Sequence, residues 1–346
     1  MRNGQPDRFR VLAIDGGGIR GLISARVIAR LEELVSAEAR DDRRMADCFD
    51  LIAGTSTGGL IALGLTAPDP GRPGRPRLRG TDLVRLYVEE GPQIFGDTLN
   101  KLVSLGGWIG PKHSPKELER ALRDLLGETK LSEALREVLI TSYDMAQPGP
   151  HFFKRRGARE SEDRDVSMVD VGMATAAAPT YFPSRGIDGR ALVDGGLFAA
   201  NPAVAAIVEA LKRREQEPRD LSPGDLLLVS LGTGQHETGH SQREVRGWGR
   251  IGWIWPRRED PALIAAFLDG QSDAADHWAD VLLNRESDGR RYYRFQASLP
   301  EGTPLDDARP AALERLNAAA DRLLEERDDE LREIARRLAS RAPASD

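Results

Sequence analysis

A serine framed by two glycines is the residue in this chain best placed for nucleophilic chemistry. Ser56 lies in the segment 54–59, GTSTGG, with Gly54 two residues before it and Gly58 two residues after it. This spacing is typical of a tight strand-to-helix turn that presents a nucleophilic hydroxyl, because only small neighbours fit where the chain folds back on itself. The following helix would direct its positive dipole end at developing negative charge. The pattern predicts a nucleophile, with an inert helix-capping serine as the alternative.

A second glycine-rich turn lies nearer the start of the chain. Residues 15–21, DGGGIRG, follow an apolar run and precede a helical pattern. The amides of Gly16, Gly17 and Gly18, supported by the guanidinium of Arg20, could bind a tetrahedral oxyanion at the helix N-terminus. The same segment satisfies Gly-x-Gly-x-x-Gly, which is typical of dinucleotide-binding turns. A dinucleotide-binding turn is followed by an acidic residue at the end of a second strand, and the sequence lacks one there. The serine turn nearby favours acyl transfer instead.

A nucleophilic serine needs a base, and the sequence offers two kinds. His236 and His240 follow a predicted strand and would complete a Ser-Asp-His triad of the α/β-hydrolase type. That fold usually brings its serine after several strands, whereas Ser56 follows the second. Asp194, in the turn after another predicted strand, is the carboxylate alternative, and burial would have to raise its pKa to make it an effective base. Asp15 is a competitor that is better placed to fix the glycine loop.

Strands that alternate with helices would position these turns. Residues 9–14 and 49–53 predict buried strands, and residues 22–35 and 60–66 predict the helices that follow them. This alternation predicts an α/β fold whose mostly parallel central sheet has helices on both faces. Further strands are predicted at residues 137–143, 151–154, 191–193 and 226–231, further helices at 81–94, 116–126, 202–214 and 311–338, and exposed loops at 67–80 and 157–165.

Composition limits the class of protein. The chain has 346 residues, 40% hydrophobic content and a net charge of -6, which fits a globular domain and does not favour a nucleic-acid partner. The sole cysteine, Cys48, cannot form an intrachain disulfide, which favours a reducing compartment. No apolar run reaches the roughly 20 residues of a spanning helix, and the N-terminus lacks a secretory apolar core. We therefore expect a cytoplasmic protein that meets lipid only at the inner membrane surface.

Taken together, the motifs resemble those of the patatin-like phospholipases. The glycine loop at 15–21, the serine turn at 54–59 and the segment 194–196, DGG, occur in the order found in that family. Residues 174–182, ATAAAPTYF, and the pair 201–202, NP, also match stretches that the family carries. The resemblance runs from Phe9 to about Gly234. It is specific because several motifs coincide in the right order.

The resemblance implies a lipid acyl hydrolase with a Ser-Asp dyad. Ser56 would attack an ester of a phospholipid, lysophospholipid or galactolipid, and Asp194 would accept its proton. The implied enzyme needs no metal or cofactor, contacts membranes peripherally, and leaves room for an activator or an oligomer. We expect one patatin-like domain over residues 9–300 and a helical extension over 301–346 packed on it. The alternatives are a nucleotide- or phosphate-binding regulatory module and the Ser-Asp-His hydrolase.

A tryptophan-rich segment at 247–256 lies beyond the matched region. Trp248, Trp253 and Trp255 predict either an interfacial aromatic patch or packing against the core. Arginines nearby would suit anionic lipid headgroups or form an ordinary solvated face. They are Arg243, Arg246, Arg250, Arg257 and Arg258.

Overall fold

A computed structural model of the chain describes residues 8–96, 110–212, 221–236, 239–254, 260–285, 289–300 and 303–340. The strands are β1 (Phe9–Ile14), β2 (Leu51–Thr55), β3 (Pro68–Asp69), β4 (Arg72–Pro76), β5 (Glu137–Asp144), β6 (Gly149–Lys154), β7 (Arg185–Ile187), β8 (Arg190–Asp194), β9 (Leu226–Leu231), β10 (Gln235–His236), β11 (Tyr292–Phe295) and β12 (Ser298–Leu299).

Helices of very different lengths surround these strands. They are α1 (Gly21–Ala39), α2 (Met45–Cys48), α3 (Thr57–Thr66), α4 (Gly80–Glu89), α5 (Gly91–Phe95), α6 (Pro115–Leu126), α7 (Arg155–Glu160), α8 (Met168–Thr175), α9 (Ala203–Lys212), α10 (Gln242–Arg246), α11 (Arg250–Ile254), α12 (Ala262–Asn284), α13 (Pro310–Glu326) and α14 (Asp328–Ala339). Within the described ranges, none has the length and apolar character of a helix that crosses a membrane.

The central sheet has eight strands and is mostly parallel. Its path runs β11-β9-β1-β2-β5-β8-β7, and β6 pairs with β5. Every pair from β11 to β5 is parallel, whereas β6, β7 and β8 add antiparallel pairs at one side. The carboxyl ends of β1 and β2 therefore meet at the same edge of the sheet, where ligand sites of open α/β sheets form. The predicted fold class is confirmed.

Buried side chains divide between the two faces of the sheet. In β1, Leu12 and Ile14 belong to one core cluster, and Val11 and Ala13 belong to the other, as the period-2 geometry of a strand requires. The first cluster includes apolar residues of α1, α3, α13 and α14, and the second includes residues of α9 and α12. Helices thus cover both faces, as predicted.

Three local predictions differ from the structure. Residues 67–80 contain the short hairpin β3–β4. Residues 157–165 were expected to be a loop, but most lie in α7 and a 3-10 turn at Glu162–Arg164, because Ala158 is buried and Arg156 pairs with Glu160 one turn on. The single long helix expected at 311–338 is interrupted at Arg327, whose φ of -116° leaves the helical range.

The last two helices share the main core. Leu316 and Leu338 belong to the same apolar cluster as residues of α1. Arg10 of β1 ties the end of α14 to the sheet: its buried guanidinium donates hydrogen bonds to the carbonyl of Leu338 at 2.9 Å and to that of Arg337 at 2.7 Å. These carbonyls belong to the last turn of a helix, where no backbone N–H of the same helix is left to donate to them. The boundary proposed between residues 300 and 301 stays a prediction.

We predict that Arg10→Met lowers the free energy of unfolding by about 2 to 3 kcal/mol, because it removes a charged donor from buried carbonyls. Chemical denaturation monitored by circular dichroism measures the loss. Arg322→Met is the matched control, since Arg322 is exposed on α13. Equal stability of the two variants would show that Arg10 is not needed to hold α14.

Candidate active site

The turn at Ser56 has the strained geometry that its glycines predict. Ser56 caps α3 directly after β2, with φ 53° and ψ -124°. A Cβ at Gly54 would lie 2.2 Å from the carbonyl oxygen of Gly58, and a Cβ at Gly58 would lie 2.1 Å from that of Ile14. Neither position accepts a side chain without a shift of backbone. The amide of Ser56 donates to Thr175 Oγ1 at 2.9 Å, which helps to hold the turn.

Strand β5 brings Asp194 to Ser56. Strands β2 and β8 pair with the same edge of β5. The last residue of β2, Thr55, lies opposite Thr141, and the last residue of β8, Asp194, lies opposite the next residue of β5, Ser142. The other edge of β5 is occupied by β6 over the same residues. Strands β2 and β8 therefore approach each other end to end from opposite directions. Their carboxyl ends meet, and Ser56 and Asp194 both line one cavity.

Burial makes the carboxylate of Asp194 unusually basic. Removal from water raises its pKa to about 6, although hydrogen bonds from the Ser56 hydroxyl and the Gly196 amide act in the opposite direction. The Gly196 amide donates to Asp194 Oδ1 at 2.7 Å and so orients the group. A carboxylate with this pKa is largely ionised at neutral pH and is a better proton acceptor than a free aspartate.

The glycine loop offers two backbone donors to the cavity. The amide of Gly16 donates to the carbonyl of Ala200 at 3.0 Å, and the amide of Ile19 donates to that of Leu305 at 2.9 Å. Between them, the amides of Gly17 and Gly18 have no acceptor among the described residues, and both glycines line the cavity with Ser56. The candidate oxyanion donors are therefore two amides and not the three that the sequence suggested, because the Gly16 amide already donates to the carbonyl of Ala200.

Arg20 does not point into the cavity. Its guanidinium donates to the carbonyl of Thr303 at 2.7 Å and to Asp260 at 2.9 Å, and it contacts His236 Nε2 at 3.1 Å. Arg20 is absent from the cavity lining. We therefore correct its predicted place in the oxyanion hole: it tethers the glycine loop to Asp260 and Thr303, which lie in the last third of the chain.

Asp15 is committed to an ion pair. Its carboxylate receives hydrogen bonds from Arg294 at 2.6 and 3.0 Å and from the Ser272 hydroxyl at 3.1 Å. Both partners come from the last third of the chain. This arrangement agrees with the interpretation that Asp15 fixes the glycine loop, and it leaves Asp194 as the carboxylate beside Ser56.

The histidines are placed elsewhere. All five lie within the described residues, and none lines the cavity. His236 contacts Arg20, and His240 packs edge-on against Trp248. His113 contacts Asp306 at 2.7 Å. The structure therefore brings no histidine to Ser56, in contrast to the triad alternative.

An apolar cavity of about 420 Å³ opens beside the serine. Most of its wall is aliphatic or aromatic, and its polar groups include Ser56 and Asp194. Sequence analysis missed this wall, because α4, α5, α6 and α12 show only ordinary amphipathic periodicity. Residues from these helices that line the cavity include Leu83, Leu86, Phe95, Leu118, Leu122 and Phe267.

The tryptophan-rich segment contains one tryptophan that packs against its neighbours and one that is partly exposed. Trp248 packs against Trp253 with ring centroids 5.2 Å apart, and a Cβ at Gly252 would lie 2.8 Å from Trp248. Trp253 keeps 36% of its surface exposed. Trp255, Arg257 and Arg258 lie outside the described residues.

Comparisons with known proteins identify the family of the chain. A family model described as Patatin-like phospholipase matches residues 12–207. The chain is 34% identical over 339 residues to Patatin-like protein 2 of Arabidopsis thaliana, covering 91% of this chain and 82% of the relative. It is 33% identical over 335 residues to Patatin-1-Kuras 2 of Solanum tuberosum, covering 91% and 86%.

Among solved structures, VipD from Legionella pneumophila is similar, with 13% sequence identity, a TM-score of 0.43, and coverage of 93% of this chain and 67% of that one. This likeness is too distant to add to the argument. The matched family model and the sequence relatives show that the chain belongs to the patatin-like phospholipase family.

Proposed function

We propose that this protein hydrolyses fatty-acyl esters with a Ser56–Asp194 dyad. The observation that carries the proposal is the position of both side chains in one apolar cavity, beside the amides of Gly17 and Gly18, which find no acceptor in the described part of the chain. An ester carbonyl placed between the serine and these amides would have its nucleophile, base and oxyanion donors within reach. Family membership supports the same class of reaction.

The reaction would proceed through an acyl-enzyme. Ser56 Oγ attacks the carbonyl carbon while its proton passes to Asp194, and the carbonyl oxygen becomes an oxyanion held by the Gly17 and Gly18 amides. Collapse of this intermediate breaks the ester bond, and Asp194 returns the proton to the leaving alcohol. A water molecule then attacks the acyl-enzyme and gives one proton to Asp194. The bond between the acyl carbon and Ser56 Oγ then breaks, Asp194 returns that proton to Oγ, and the fatty acid leaves.

The cavity favours a lipid substrate over a phosphate ligand. Its wall is dominated by hydrocarbon side chains, so an acyl chain would leave water with a gain of about 0.8 kcal/mol per buried CH₂ group. A nucleotide would bring charged phosphates to a cavity whose carboxylate-bearing lining residues are Glu90, Asp194 and Asp306, and whose lining, among the described residues, contains no arginine, lysine or histidine. We therefore favour a phospholipase A or lysophospholipase activity without a metal or cofactor.

We predict that Ser56→Ala lowers kcat/KM for a fluorogenic acyl ester by at least about 1,000-fold, because it removes the nucleophile. Asp194→Asn should lower it by at least about 100-fold, since an amide cannot accept the serine proton. His236→Ala and His240→Ala are matched controls that should retain most of the activity. Steady-state kinetics on the four purified variants measures these changes.

Two outcomes would contradict the proposal. A histidine variant as inactive as Ser56→Ala would indicate a triad. Nucleotide binding in a calorimetric titration, together with no hydrolysis of any acyl ester, would favour the regulatory-module alternative.

The raised pKa of Asp194 predicts the acidic limb of the pH profile. The base must be ionised, so kcat/KM should fall about tenfold per pH unit below pH 6, where the carboxyl becomes protonated. A free aspartate would place this limb near pH 4. An uncharged ester should be used, so that the substrate does not titrate. A limb that moves in His236→Ala would assign the base to histidine instead.

A further inference from the structure

An apolar patch lies exposed around the mouth of the cavity. We define the mouth patch as Leu197, Ile251, Trp253, Ile254, Leu263 and Phe267. Ile251 is 70% exposed, Phe267 is 55% exposed, and the other four are between 36% and 48% exposed. Large side chains in such numbers are normally buried, and a contiguous exposed cluster marks an interaction surface.

The mouth patch is continuous with the proposed active site. Leu197, Leu263 and Phe267 are exposed to solvent and also line the cavity. Ile251, Trp253 and Ile254 belong to α11, which packs against α12 and extends the surface outward from the mouth. A partner seated on the patch would therefore touch the entrance through which the substrate must pass.

Helix α12 carries the apolar surface onward. It has 23 residues, and Leu263, Phe267 and Trp278 fall on one side of it at 3.6 residues per turn. Trp278 is 56% exposed. This side resembles that of a helix lying in the plane of a membrane interface, where aromatic rings are favoured.

Basic residues border one end of the mouth patch. Arg243, Arg246 and Arg250 are exposed on α10 and α11, and none makes an ion pair with another described residue. Many exposed arginines elsewhere on the molecule pair with acids, such as Arg85 with Asp82. Each such arginine near an anionic membrane adds electrostatic attraction. Asp273 and Asp280 are exposed on the flank of α12 and would be repelled by anionic headgroups. The electrostatic attraction is therefore confined to the end of the surface formed by α10 and α11.

We propose that the mouth patch docks on a lipid bilayer that contains anionic headgroups. The isoleucines and Trp253 enter the interface, the three arginines contact the headgroups, and the cavity opens directly onto the membrane. The inference rests on the proposed lipid acyl hydrolysis and adds the surface by which the enzyme reaches its substrate. A second copy of this chain is the competing occupant.

Vesicle flotation tests the docking surface. The full chain carrying Ser56→Ala, which leaves the lipid intact, is mixed with phosphatidylcholine vesicles with or without phosphatidylglycerol. Adding Ile251→Ser and Ile254→Ser should weaken binding at least about tenfold on both vesicles, because two apolar anchors are lost. Adding Arg243→Glu and Arg246→Glu should weaken it about tenfold only on anionic vesicles. Met145→Ser is the matched control, because Met145 is 55% exposed on a turn outside the patch.

The same substitutions with Ser56 intact should leave hydrolysis of a water-soluble ester unchanged. This separates the two proposals, since soluble-ester hydrolysis tests the dyad and flotation tests the surface. Binding by the isoleucine variant equal to its parent, or no binding of the parent to either vesicle, would overturn the inference. So would a dimer, measured by light scattering, that only the patch variants lose.

A measurement on the parent protein, whose patch is intact, covers the case in which the serine and glutamate variants fail to fold. Brominated lipids should quench the tryptophan fluorescence of the parent protein, and Trp253→Phe should reduce that quenching. Unquenched fluorescence in the parent would count against docking.

Discussion

The site depends on one edge of β5 being shared by two strands that arrive from opposite directions. Because β2 ends beside Thr141 and β8 ends beside Ser142, Ser56 and Asp194 meet although they are far apart in sequence. A purely parallel continuation of the sheet would have pointed the end of β8 the same way as the end of β2. The two ends would then not have faced each other. The antiparallel margin of the sheet is thus what makes a two-residue mechanism geometrically feasible.

Burial then sets the chemistry of the proposed dyad. Moving the pKa of Asp194 from its ordinary value to about 6 corresponds to a cost on the order of 3 kcal/mol for the ionised carboxylate at neutral pH. Other interactions must offset that cost. One of them is the buried ion pair between Asp15 and Arg294, which holds the glycine loop against the sheet. The same dry surroundings would strengthen the attraction between an oxyanion and the loop amides. Under the dyad proposal, the desolvated carboxylate of Asp194 takes the place that a histidine holds in a triad.

The sequence predicted the fold class and the motif turns well, because strong local signals fix them. Glycines at 54 and 58 are required by contacts within a few ångströms, and strand periodicity is visible in β1. Long-range partners were beyond such signals. Nothing local indicates that Arg20 turns toward Asp260 and Thr303, or that the Gly16 amide is used by Ala200. The helix α7 was missed because its charged residues, which suggest a solvated loop when only the sequence is considered, form an ion pair along the helix between Arg156 and Glu160.

The part of the chain beyond the matched family model completes the site. Residues after 207 supply Arg294 for Asp15, Leu305 for the glycine loop, and Phe267 for the cavity wall. The motif region therefore contains the proposed reacting groups, whereas the later region contacts the loop that carries the proposed oxyanion donors and shapes the entrance. Because surface and entrance residues tolerate change better than strained turns, this division allows one chemical mechanism to be combined with different lipid surfaces. In this chain the entrance is apolar, and exposed arginines lie on the neighbouring α10 and α11; under the docking proposal, this arrangement would favour substrates drawn from an anionic bilayer over esters free in solution.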